Sequence, residues 1–154
     1  MKYIRLAMAA LMLIAVFIGC EDEKNIPQVS AKKHLTGGTE KVWEIESFKE
    51  DGMEKLNVLE QDTCYQSSFR FRDDDNQTFS GNGNTVDCIV YGIWYLESAN
   101  TKLGLSISIM DDIGLGPWSG PSYNVWKIVK LSDDALKIEI DYQNKTYLIS
   151  FKKH

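Results

Sequence analysis

The chain has 154 residues, with 17 basic against 22 acidic side chains, a formal net charge of −5 and two histidines. That length is one domain with room for a real core, and the acidic balance works against nucleic acid and anionic surfaces, so no nucleic-acid partner is expected. The histidines are His34, near the amino-terminal end, and His154, the last residue. They offer no Ser–His–Asp or Cys–His set on a rigid element, so no enzyme, no cofactor and no metal site is expected.

Residues 1–19 come first. Lys2 and Arg5 precede an apolar run from Leu6 to Ile18, and Gly19-Cys20 is followed by Glu21, Asp22 and Glu23. A basic start, a short apolar stretch and a small residue before a cut site describe a secretory signal peptide. The alternative, a transmembrane helix, needs about 20 apolar residues, and Ile4 to Gly19 is shorter and contains Arg5. A cysteine just after the cut is what bacterial lipidation requires. Cys20 is therefore the expected lipidation site, carrying diacylglycerol and an amide-linked acyl chain of the palmitate kind. Phe17 and Ile18 depart from the usual Leu and small residue of that pattern. The expected location is the cell envelope, as an exported outer-membrane lipoprotein at the cell surface or the periplasmic face, with the membrane as partner through the lipid.

Residues 20–39 read as the lipidated cysteine and a flexible tether. The charges at 21–24, Pro27 and Thr36-Gly37-Gly38-Thr39 all argue against regular structure. Loss of Lys2 and Arg5 with the leader brings the mature charge to −7. Of three cysteines, lipidation consumes Cys20. Cys64 and Cys88 then remain for a disulfide in an oxidising compartment, worth about 3.5 kcal/mol in the chain-entropy account, or as two half-buried thiols.

From residue 40 the period is two. Lys41–Phe48 alternates with Trp43 and Ile45 on one face. Tyr65–Arg72 places Phe69 and Phe71 inward and Arg70 and Arg72 outward. Gly92–Leu96, Leu103–Ile109, Tyr123–Leu131, Ala135–Tyr142 and Lys145–Lys152 continue the series. Turn signals stand at Asp51-Gly52, Gly81–Asn84, Ser132–Asp134 and Gln143-Asn144. Residues 50–62 are the one stretch that admits a short helix. Strands recurring about every ten residues point to an all-β sandwich or barrel.

The spaced skeleton of Trp43-Glu44-Ile45, Cys64-Tyr65 with Phe69 and Phe71, Gly81-Asn82-Gly83, Cys88, Gly92-Ile93-Trp94-Tyr95-Leu96, Tyr123–Leu131 and Ile149-Ser150-Phe151-Lys152-Lys153 resembles lipocalin-like domains of Bacteroidota-type surface lipoproteins. The resemblance covers about residues 40–153. It implies a small antiparallel up-and-down β-barrel of about eight strands over 40–154, closed or nearly so, and it implies no activity. The loop from Asp111 to Pro121 is longer than a plain hairpin needs.

Several groups carry both a functional and a plainer reading. Asp73-Asp74-Asp75 offers oxygens for Ca²⁺ but lacks a loop's distant Glu, so a solvated turn is expected. Asp62-Thr63-Cys64 resembles an O-glycosylation acceptor at Thr63, a match short enough to arise by chance. Inward aromatics in a small barrel fill it or line a cavity. The tentative ligand-binding set is Trp94, Leu105 and Trp126 inside the barrel and Trp118 on the apolar Gly/Pro loop, which either meets a partner or plugs its own barrel. The expected function is binding of a small apolar ligand in the barrel, or of a protein partner at the loop end. The alternative is a structural, accessory or inhibitor-like lipoprotein with a filled core.

Overall fold

The computed structural model describes residues 28–62, 65–83, 90–109 and 123–154. The leader, Cys20, Thr63, Cys64, Cys88, Trp118 and the rest of the 110–122 loop lie outside the described residues. So, therefore, do the expected lipidation, the Cys64–Cys88 bridge, the glycosylation at Thr63 and the role of Trp118.

Among the described residues nine strands run in chain order: β1 (Glu40–Glu50), β2 (Met53–Glu54), β3 (Gln66–Arg72), β4 (Thr78–Gly83), β5 (Val90–Glu97), β6 (Lys102–Ile109), β7 (Tyr123–Leu131), β8 (Ala135–Tyr142) and β9 (Lys145–Lys153). Each pairs antiparallel with the next, except that β3 follows β1 in the sheet and β2 is a two-residue flap on the end of β1. β9 returns to pair with β1 from Tyr147↔Glu50 to Lys153↔Trp43, which closes an eight-stranded barrel and removes its edges. Of the sandwich or barrel that the alternation left open, the barrel implied by the resemblance is the observed fold. The Asp73–Asp75 segment is the expected turn, held by the Asp74 carboxylate, which accepts from the Thr78 N–H at 2.8 Å and from the Thr78 hydroxyl.

The inward set follows the period-two pattern with three interruptions. In β1, Trp43 and Ile45 point in, and so does Phe48. The parity changes because Glu46 is an extra residue between Ile45↔Phe151 and Ser47↔Ser150. Val129 plays the same role in β7, and Ser67 in β3. Such bulges add local twist and let a small barrel turn its corners.

Two segments correct the sequence reading. The stretch read as the flexible tether contains a helix, α1 (Gln28–Thr36), whose Ala31, Leu35 and Thr36 are fully buried. Ala31 and Leu35 are four apart, so they share one helical face. The helix ends where Gly37 adopts φ +69° and its N–H donates to the Lys33 carbonyl at 2.7 Å. Gly37-Gly38 is therefore a helix stop rather than a flexible link. The second correction is Gly81-Asn82-Gly83, read as a turn but found inside β4, paired with Phe69, Ser68 and Gln66. The helix admitted within 50–62 is present as α2 (Leu56–Leu59).

α1 lies across one end of the barrel. The Trp43 indole N–H donates to the Leu35 carbonyl at 2.9 Å. Lys41 is buried there, 4.8 Å from the centre of the Trp43 ring, and its ammonium donates to the carbonyls of His34 and, at 3.0 Å, Asp133. Burial pushes the Lys41 pKa down, and the carboxylate of Asp133 pulls the other way. The His34 ring bonds the Asp133 carboxylate at 2.8 Å, and Lys32 pairs with Asp73. This end is closed by packing and by paired polar groups. The far end carries α2, the β8–β9 turn and the strand ends at 66, 83, 90, 109 and 123; we refer to it as the mouth.

Candidate functional site at the barrel mouth

The barrel interior changes character along its axis. Towards α1 it is packed with aromatics. Phe71 stacks on Phe79 with centroids 5.8 Å apart and meets Trp94 edge-on at 6.4 Å, while Phe69 meets Phe151 edge-on at 6.1 Å. The Trp94 indole N–H donates to the Arg72 carbonyl at 2.9 Å, so its polar tip is satisfied inside the wall.

The sequence-predicted interior residues are brought together. Trp94 sits opposite Leu105, and Leu103 opposite Trp126, on adjacent strands. All face inward, and Trp94, Leu105 and Trp126 keep 2% or less of their surface accessible. A side chain that walls an open cavity keeps accessible area toward it. These three are therefore packed by neighbours, and they form the floor of any site rather than its open walls. Trp118, the remaining member of the tentative set, lies outside the described residues.

Towards the mouth, polar side chains turn inward among apolar ones. Gln66 and Asn124 are 3% and 6% exposed, and Leu105 faces Asn124 across the β6–β7 ladder. Gly81 leaves the space that the Gln66 amide fills, since a Cβ there would stand 2.4 Å from the Gln66 Oε1. Phe48 stacks on Tyr147 at 6.0 Å, and burial raises the Tyr147 phenol above its ordinary pKa. Burial likewise raises the phenol of buried Tyr65. Both rings stay neutral donors at physiological pH.

Sequence reasoning missed Gln66. Counting back by twos from Phe69 puts Ser67 inward, whereas the bulge at Ser67 reverses parity and brings Gln66 in. Asn124 was legible, because it is two residues from Trp126 on one strand.

His34 and His154 both lie at the closed end of the barrel, engaged with Asp133 and Glu44. Among the described residues no three His, Cys, Asp or Glu side chains converge as metal ligands. A depression of about 390 Å³ lies on the outer face of β1, β3 and β4, with Glu44, Ser68, Arg70 and Asn82 among its walls. Its charges are engaged: Glu44 with His154 and Lys152, Arg70 with Glu40.

With this geometry the barrel can be compared with known proteins. It matches the crystal structure of a lipocalin-like protein from Bacteroides uniformis over 79% of this chain and 99% of that one, with a TM-score of 0.50 and 13% sequence identity. The fold is lipocalin-like. No family model and no curated protein sequence matches the chain. The likeness of the lipocalin-like barrel thus rests on its three-dimensional arrangement, and at that identity it speaks of the fold alone.

Proposed function

We propose that this lipocalin-like barrel is a lipid-anchored cell-envelope binding protein that holds a small, mainly apolar ligand with one polar group at its mouth. One observation carries the reading: an apolar interior closed at one end, in which a few polar side chains, Gln66 and Asn124, turn inward towards the other. Small-molecule sites have that composition, an apolar wall with a few placed polar groups that orient the ligand. Gln66 and Asn124, 3% and 6% exposed, are packed as well, so a ligand reaches their amides by displacing neighbours above the floor of Trp94, Leu105 and Trp126. Anchoring and export are supported by the basic start, the apolar run and Cys20.

The test is a titration with cis-parinaric acid, a fluorescent fatty acid, with excitation of the tryptophans. Saturable energy transfer, weakened about tenfold by Gln66→Leu or Asn124→Leu, is expected if each amide contributes about 1.4 kcal/mol to binding. Absence of saturable transfer favours the second reading, an accessory protein with a filled core. The near-complete burial of Trp43, Trp94 and Trp126 speaks for that reading.

A further inference from the structure

The helix found within the expected tether bears on how the barrel stands on a membrane. We infer that the α1-capped end is the face apposed to the bilayer and that the opposite end, the mouth, faces away from it, so that a ligand of the proposed site is exchanged with the aqueous phase rather than drawn from the lipid beneath. The inference rests on the proposed lipidation of Cys20.

The argument is one of lengths. Eight Cα–Cα steps separate Cys20 from Gln28, the first residue of α1. Fully extended they reach at most roughly 29 Å. A strand of nine residues such as β9, rising about 3.3 Å per residue and tilted about 40°, covers roughly 23 Å of barrel axis. To set the mouth on the bilayer, the linker would have to climb the whole barrel and come close to full extension. To set the α1 end there, it needs no stretching.

The helix is fixed to that end and does not lengthen the linker. Leu35, Ala31 and Thr36 are buried, Lys41 donates to the His34 carbonyl, and the Trp43 indole donates to the Leu35 carbonyl. On its outer side α1 presents Val29, 82% exposed, beside Lys32 and Lys33 along a groove of about 400 Å³ that reaches Gly38 and Asp73. An exposed apolar residue flanked by lysines tolerates a headgroup layer. The acidic turns at the same end, Asp73–Asp75 and Asp133-Asp134, argue that the tether, rather than attraction to anionic lipid, sets the orientation.

The experiment uses the lipidated protein, purified from the envelope and reconstituted in phosphatidylcholine vesicles. Some of the phosphatidylcholine carries a nitroxide on its headgroup. A dye is placed either at residue 29 on α1 or at residue 143 in the β8–β9 turn at the mouth. It is introduced through an azido amino acid, so that Cys64 and Cys88 are left alone. Flotation with the vesicles reports anchoring separately. The expected result is flotation, with the dye at 29 quenched at least threefold more strongly than the dye at 143. Flotation with equal quenching, or with stronger quenching at 143, overturns the orientation while leaving the anchor standing. Failure to float removes the anchor and the orientation with it.

Discussion

Replacing Leu35 by alanine tests the docking of α1, on which the closed end depends. α1 is nine residues long, and isolated helices of that length are marginal in water, so its existence requires its contacts with the barrel. Leu35 is 1% exposed and its carbonyl accepts the Trp43 indole N–H. Leucine-to-alanine changes in cores cost about 2–5 kcal/mol, depending on how far the site collapses. α1 lies at a barrel end and can settle toward the gap, so we expect the lower part of that range, about 2–3 kcal/mol. At roughly 4 °C per kcal/mol for a domain of this size, the melting temperature falls by about 8–12 °C. Val29→Ala on the same helix, at an 82% exposed position, should stay within about 0.5 kcal/mol. Thermal melts followed by near-ultraviolet circular dichroism, which sees Trp43 directly, provide the measurement. A loss below about 0.5 kcal/mol for Leu35→Ala would mean that α1 is a loosely held tether after all, and it would refute the account of the closed end.

Gly92→Ala should destabilise far more than Gly104→Ala in urea melts: the new Cβ at 92 meets the Ser106 carbonyl at 2.0 Å in the neighbouring backbone, whereas at 104 its three nearest atoms all belong to the Tyr95 ring, which can swing away from its stack on Tyr123 at a cost of about 0.5–1.5 kcal/mol. Ala99→Gly should raise stability by about 0.5–1 kcal/mol in the same assay, because Ala99 holds φ +55° in the turn between β5 and β6. The hydrogen bond with His34 holds the Asp133 carboxyl below its ordinary pKa. Its contribution is thus complete above the ordinary carboxylate range and lost as pH falls through the lower folded value, so Asp133→Asn should flatten the acid side of a stability-versus-pH curve. Peptide mapping without reductant should find Cys64 joined to Cys88 in exported protein, and two alkylatable thiols would remove that bridge.

The legible part of the fold was the part in which alternation runs unbroken. β8 and β9 read directly from Ala135–Tyr142 and Lys145–Lys152 because each strand buries alternate residues against the core. β4 was hidden because Gly81 and Gly83 carry no side chain to show a period, and the very feature that makes a turn plausible, absence of a Cβ, here makes room for Gln66. α1 was hidden by its short apolar face, Ala31 and Leu35, and by a Gly37-Gly38 pair that serves linkers and helix stops alike. Of the candidate site, the aromatic floor and Asn124 come from counting by twos. Gln66 does not, because bulges depend on how two strands pair, and one strand's sequence does not carry that information.

The measurement closest to the central claim is native mass spectrometry of the full protein released gently from the envelope, compared with the same sample after extraction with organic solvent. A binding barrel predicts a defined small-molecule mass above that of the lipidated chain, lost on extraction and regained on adding back the extract, with Gln66→Leu carrying less of it. A single mass, equal to that of the lipidated chain before and after extraction and unchanged by incubation with envelope lipid extract, would contradict the binding function and leave a filled barrel.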